Sequence, residues 1–313
     1  MGVRIGLGLA DFPFTDGKGF WRWVELCEAG GIDSLWQADR LAGPAAFLEC
    51  MSLMAALAGA TKRMKFGMSV LSLGLREPFI VAKECATIDF LSGGRLLPAF
   101  GIGSPNSGDW AALGRDSSGQ GGRTNQALEI IARLWRGETV DVEGPHFHYR
   151  DAKIQPLPVQ QPLPLWIGGS SPAAIRRTAR YGTGWLAGLE SPEAVGKVVD
   201  AIKAEAEAIG RPMDPEHFGA GFSYRFGPPD DPLIAQRRAL FEKAYPGRNM
   251  EKLIVAGGAA DIVQRVRDYQ AAGITKFVLR PIGKEEEDLA LQTRRLIEEV
   301  IPAIHASPAP AAA

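Results

Sequence analysis

Cysteine and histidine are scarce in this chain, with three of the first and four of the second. Cys27, Cys50 and Cys85 each stand in an apolar, helix-like stretch with no paired ligand spacing. They read as buried reduced thiols, a usage that suits a cytosolic enzyme. An excess of charge of either sign is also missing: 35 lysines and arginines against 36 aspartates and glutamates leave a formal net charge of -1. That balance gives no electrostatic footprint for nucleic acid or for an acidic membrane. Long apolar runs are absent, and the opening stretch MGVRIGLGLADF is too short for a signal peptide or a membrane span. Gly6 stands where a myristoylation signal needs serine or threonine. A cytoplasmic location is the expectation. No GxGxxG fingerprint with a downstream ribose-binding acid occurs, which puts a Rossmann reading second.

What is present is a rhythm. Short β-type runs alternate with longer helical patterns: strands at 3–9, 34–37, 65–71 and 96–102, with helices at 19–29, 47–57, 79–90 and 124–135. Residues 139–149 interrupt this as a small hairpin turned at Glu143-Gly144, followed by the proline-rich connector IQPLPVQQPLP. The alternation resumes with strands at 164–167, 184–187, 218–226 and 276–279 and helices at 173–181, 193–209, 260–272 and 288–304. Residues 228–252 break the period as a partly helical insertion, and 253–256 is counted with it. Eight βα units predict a single (β/α)8 TIM barrel over residues 1–305, with 306–313 as a frayed tail.

Barrel enzymes act at the ends of their strands, so the residues just after each strand are the candidates. They include Asp11, Asp39-Arg40, Ser69-Val70 with Arg76, Gly103-Ser104-Pro105-Asn106, Gly168 to Ser171, Tyr224-Arg225 and Arg280. None is a histidine, and no Cys–His pair or carboxylate cluster accompanies them. A metal centre or a hydrolytic triad cannot be assembled from this set. Glycines, small hydroxyls and arginines suit instead a bound cofactor that carries the reactivity itself. The clearest motif is WIGGSSPAAIRRTARYGTGW, from Trp166 to Trp185, in which a strand meets Gly168, Gly169, Ser170 and Ser171 before Pro172 opens a helix. Such a turn offers backbone and hydroxyl donors at the positive end of a helix and binds phosphate; the plainer reading is an ordinary capped strand–helix turn. Phe12, Phe14, Trp110, Tyr224 and Phe226 are either pocket lining or core.

LSGGRL with FGIG, GRTNQALEIIARLWRGETVDVEGPHFHY, PVQQPLPLWIGGSSPAAIRRTARYGTGW and AAGITKFVLRP together give the chain a resemblance to the bacterial luciferase-like family of flavin- and deazaflavin-dependent oxidoreductases. The resemblance covers nearly the whole length. It implies that Ser69-Val70 is a non-proline cis peptide against the flavin ring, where a plain trans strand end is the alternative. It further implies that Gly168, Gly169, Ser170 and Ser171 hold the phosphate, with Gly103, Ser104 and Asn106 beside the cofactor, and that Asp39 lies near the ring. Arg40 departs from the pattern, because many deazaflavin-using members carry histidine there for proton transfer. An arginine stays protonated near neutrality and is a poor general acid or base. It either holds an anionic group or simply pairs with Asp39.

From the sequence, the first choice of function is a two-component monooxygenase using reduced FMN and O2, fed by a separate flavin reductase and acting on a small organic substrate. The second is a coenzyme F-420-dependent oxidoreductase moving hydride without oxygen, and the third a non-catalytic flavin-binding protein. A homodimer is expected.

Overall fold

Capped amphipathic segments and short apolar runs fold as helices and parallel strands in a computed structural model that describes residues 2–9 and 11–306. Ala10 and residues 307–313, which make up nearly all of the expected tail, lie outside the described residues. The chain divides into two units, one holding residues up to Trp36 together with those from Ala187 onward, the other Gln37–Leu186.

The first unit opens with β1 (Arg4–Gly8), α1 (Gly17–Ala29) and all but the last residue of β2 (Ser34–Gln37). Asp16 caps α1 by accepting the Gly19 N–H at 2.8 Å, and Phe20, Trp23, Val24 and Cys27 form its buried face at helical spacing.

In the second unit follow α2 (Cys50–Ala60), β3 (Lys65–Met68), β4 (Leu71–Ser72), α3 (Pro78–Ser92), β5 (Leu96–Leu97), β6 (Ala99–Gly101), α4 (Gly108–Ala112) and α5 (Gln120–Trp135). The hairpin is β7 (Val140–Glu143) with β8 (His148–Ala152), and β9 (Trp166–Gly168), α6 (Pro172–Tyr181) and β10 (Gly184–Leu186) complete this unit. β4, β6, β9 and β10 pair in parallel in that order, as do β3 and β5. The proline-rich connector is pinned by buried Asp89 of α3, which accepts from the Val159 N–H at 2.8 Å and the Gln160 N–H at 3.0 Å.

The first unit resumes with α7 (Pro192–Ala208), β11 (Phe218–Ala220), β12 (Ser223–Phe226), α8 (Pro232–Ala244), β13 (Ile254–Gly257), α9 (Ala259–Ala271), β14 (Lys276–Pro281), α10 (Glu286–Arg295) and α11 (Ile301–Ala306). Its strands run β2-β1-β14-β11, all parallel. Helices α6, α7 and α8 share one start: Ser171, Ser191 or Asp231 as the cap, then proline at the first helical position.

Three expected strands are interrupted. The 65–71 run breaks between β3 and β4 at a cis Ser69–Val70 peptide bond. The 96–102 run breaks at Pro98, which has no N–H for the ladder. The 218–226 run breaks at Gly221, whose Cα lies against the Val278 carbonyl, so that a side chain there has no room. Residues 228–252 contain α8 and a 3-10 turn, Met250–Lys252; β13 beyond them pairs in parallel with β12 alone among the described residues.

Candidate cofactor and active site

The second unit gathers every singled-out cofactor and catalytic position. Val70 follows the cis bond, and its side chain fills the space above two glycines. A Cβ on Gly101 would meet its Cγ2 at 2.7 Å, and one on Gly168 would meet its Cγ1 at 2.9 Å. These glycines are therefore what lets the ends of β6 and β9 close around Val70. The Ser69 N–H donates to the Gln37 carbonyl at 2.8 Å, tying this corner to the first residue of the same unit.

Asp39 is the buried end of an ion network centred on Arg76. Its side chain is 1% exposed, and both oxygens are engaged: Arg76 Nη2 donates to Oδ1 at 2.7 Å and the Ser72 N–H to Oδ2 at 2.9 Å. Arg76 Nη2 also reaches Glu49 Oε1 at 2.8 Å. Burial by itself pushes the Arg76 guanidinium down, but the two carboxylates outweigh it and hold it above its ordinary value. Glu49 in turn caps α2, accepting from the Met51 N–H at 3.2 Å and the Ser52 N–H at 2.7 Å. Burial raises its carboxyl, yet the hydrogen bonds from Ser52, Arg76 and Met51 prevail and bring it to about 2.

Arg40 is not part of this network. It is exposed, and its guanidinium carbon sits 4.8 Å from the centre of the Phe47 ring. The pairing of Arg40 with Asp39 weighed from the sequence is thus replaced by Arg76. The loop that bears Arg40 is held by buried Asp109, which accepts from the Leu41 N–H at 3.1 Å and the Ala42 N–H at 2.7 Å. Asp109 belongs to the short helix α4, where Trp110 Nε1 donates to the Ser104 carbonyl at 2.8 Å and Gly103 takes a φ of 83°. Ser104 and Asn106 are exposed.

At the end of β9, Ser171 Oγ caps α6 by accepting the Ala174 N–H at 3.2 Å, and a hydroxyl that accepts one bond keeps a donor. Gly169 has a φ of 103° and receives Trp185 Nε1 on its carbonyl at 2.8 Å. Ser170 Oγ is buried without a hydrogen-bond partner among the described residues. A hydroxyl left unpaired beside the positive end of a helix is able to donate to an anion. The donor set fits a phosphate-bearing flavin or deazaflavin, with Val70 offering an apolar surface for a ring.

Elsewhere the first unit uses several mouth candidates internally. Arg225 binds Asp231 at 2.6 Å and Asp288 at 2.8 Å, and Asp11 pairs with buried Arg237. A cavity of about 350 Å³ is lined by Asp11, Phe12, Arg237, Ile282 and Lys284. Phe14, Trp110, Tyr224 and Phe226 are core. Glu49, Asp109 and Arg237 were not singled out in the sequence. Glu49 is hidden there because helical periodicity places the helix start at 47, three residues before the observed α2.

The sequence profile described as "Luciferase-like monooxygenase" matches residues 15–245, more than half of the chain. The chain belongs to that family. Among relatives of this luciferase-like protein, an uncharacterized protein of Mycobacterium tuberculosis is 32% identical over 166 residues, which span 53% of this chain and only 56% of the relative. The F-420-dependent glucose-6-phosphate dehydrogenase of Beutenbergia cavernae is 29% identical over 322 residues, covering 91% of this chain and 92% of the relative. An F-420-dependent secondary alcohol dehydrogenase in complex with an F-420-acetone adduct superposes with a TM-score of 0.83 at 20% identity, over 97% of this chain and 99% of that one. The monooxygenase RslO1 of Streptomyces bottropensis gives 0.80 at 18% identity, over 97% and 100%. These likenesses show the fold, the (β/α)8 class expected from the sequence. No helix among the described residues is long and apolar enough to cross a membrane.

Proposed function

We propose that this luciferase-like oxidoreductase uses coenzyme F-420 and exchanges hydride with an organic substrate without oxygen. The observation that carries the reading is the similarity to F-420-dependent dehydrogenases along nine-tenths of both chains, for example 91% and 92% with the Beutenbergia enzyme. This reverses the order of preference drawn from the sequence, where reduced FMN came first.

The bound deazaflavin would supply the hydride chemistry; the chain supplies placement and charge. Ser170, Ser171 and the N–H groups opening α6 would hold the phosphate, and Val70, backed by Gly101 and Gly168, would present the surface for the ring. Asp39 is fixed by Arg76 and the Ser72 N–H, so its charge shapes the corner where β4 begins and does not swing. Arg40 stands on the loop after β2 with its guanidinium accessible, a permanent positive charge suited to holding an anionic group.

The second reading, reduced FMN with O2 and a separate reductase, is favoured by arginine at position 40 in place of a proton-transferring histidine. Incorporation of oxygen into the substrate separates the two. The F-420 reading expects substrate-dependent bleaching or recovery of the deazaflavin absorbance under anaerobic conditions, with no oxygenated substrate product when reduced FMN and O2 are supplied. An oxygenated product formed from reduced FMN and O2, and no F-420 turnover, would reverse the order again.

A further inference from the structure

Arg177 lies on the second turn of α6 and is 7% exposed. Its Nε donates to the neutral side-chain oxygen of Asn125 at 2.7 Å, and it forms no ion pair and no other hydrogen bond among the described residues. Its ionisable neighbour is Tyr181, whose hydroxyl burial holds in the protonated form. A guanidinium largely withdrawn from water is costly unless a counter-charge offsets it. No carboxylate among the described residues does so here.

The guanidinium points at the start of α5. Nη2 is 3.7 Å from where a Cβ on Gly121 would stand, within the first turn of that helix. That turn, Gln120-Gly121-Gly122, follows Gly119 at a φ of 67° and has no side-chain cap. The Gln120 N–H donates to the Ser117 carbonyl, but those of Gly121 and Gly122 add partial positive charge beside the guanidinium, an arrangement unfavourable by itself and favourable around an anion. Gln120 adds a side-chain amide whose Oε1 is buried without a partner, and a half-turn of that amide presents its NH2 instead. Helical side chains lean toward the helix N-terminus, the end of α6 that Ser170 and Ser171 precede.

We infer that Arg177 and the glycine-rich first turn of α5 form a binding site for an anionic oxygen group, phosphate or carboxylate, in the tail of the bound cofactor. The inference rests on the proposed use of a phosphate-bearing cofactor. FMN ends in one phosphate monoester, whereas F-420 continues through a phosphodiester to carboxylates. A second cationic site beyond the α6 turn therefore favours the longer polyanionic tail.

Equilibrium titration of wild-type protein, Arg177→Gln and Arg177→Lys with F-420, FMN and the phosphate-free deazaflavin core tests this. A hydrogen-bonded charge pair carries about tenfold or more in affinity. Arg177→Gln should therefore bind F-420 about tenfold or more weakly, while its affinity for the core stays as in wild type. Weakening of F-420 and FMN alike assigns the site to phosphate, and weakening of F-420 alone assigns it to the carboxylate-bearing tail. Arg177→Lys keeps a charge but loses the planar fork, so it gives an intermediate loss and decides the matter if Arg177→Gln does not fold. Unchanged affinity for both anionic cofactors, or an equal loss for the core, overturns the site. Should wild type bind neither cofactor, the cofactor reading falls and inorganic phosphate alone decides. The site then stands if phosphate raises the melting temperature of wild type more than that of Arg177→Gln, and falls if the shifts are equal.

Discussion

Asp39 and Arg76 are joined through Oδ1 and Nη2 at 2.7 Å, with the carboxylate side chain 1% exposed and the guanidinium 16% exposed. Because Arg76 reaches Glu49 as well, one cation holds two carboxylates from different segments, the loop after β2 and the cap of α2. Removing it leaves a buried carboxylate without its counter-charge.

Arg76→Met should destabilise the protein by about 3 kcal/mol, the lower end for breaking a buried pair, since Arg76 keeps some contact with water. Arg76→Lys should cost less, because the charge survives while the fork that serves both partners is lost. Urea unfolding at neutral pH measures both. Equal stability of Arg76→Met and wild type would mean that Asp39 finds another partner.

Glu49 has its carboxyl lowered to about 2 from 4.5 by hydrogen bonds that outweigh its burial. A depressed folded-state value stabilises the native state above the unfolded value, and that contribution disappears as pH falls from about 4.5 toward 2. Melting temperatures should therefore drop over this window, and Glu49→Gln, less stable near neutrality, should show a shallower acid limb. Parallel acid limbs for the two proteins would remove Glu49 from the account.

Gly168→Ala should clash with Val70, whose Cγ1 would lie 2.9 Å from the new methyl. Overpacking of this kind costs about 1–3 kcal/mol. Adding Val70→Ala should restore much of the loss, and a double-mutant cycle in thermal or urea unfolding reads the coupling. Additive effects would show that Gly168 and Val70 do not meet.

Ser170→Ala should leave apo stability unchanged or slightly higher, since the hydroxyl has no partner to lose. Cofactor affinity should nevertheless fall by about tenfold, the worth of a hydrogen bond to a charged oxygen. The contrast between melting curve and titration is the readout. Gly169 is a poor place for the same test, because its φ of 103° makes any side chain strained. Unaltered affinity would move the phosphate away from this turn.

Much of the architecture was legible from periodicity alone. Phe20, Trp23, Val24 and Cys27 announce the buried face of α1, and Ser171-Pro172 announces the start of α6. Residues that act across long sequence distances were less visible. Arg76 is recognisable as a strand-end arginine, but its choice of Asp39 over any cofactor depends on how β4 and its following turn are folded. Asp109 acts through a five-residue helix too short to leave a periodic trace, and Arg177 reads as one more charge in IRRTAR until its burial is known. Expected strands also run straight through Pro98 and Gly221, where a missing donor and a close backbone contact stop them.

Anaerobic titration of F-420 and FMN in parallel, followed by the fluorescence of each ring, tests the central claim most directly. The account predicts saturable binding of F-420 with the lower Kd of the two, and a rise in melting temperature that tracks it. Tighter binding of FMN than of F-420 would contradict it.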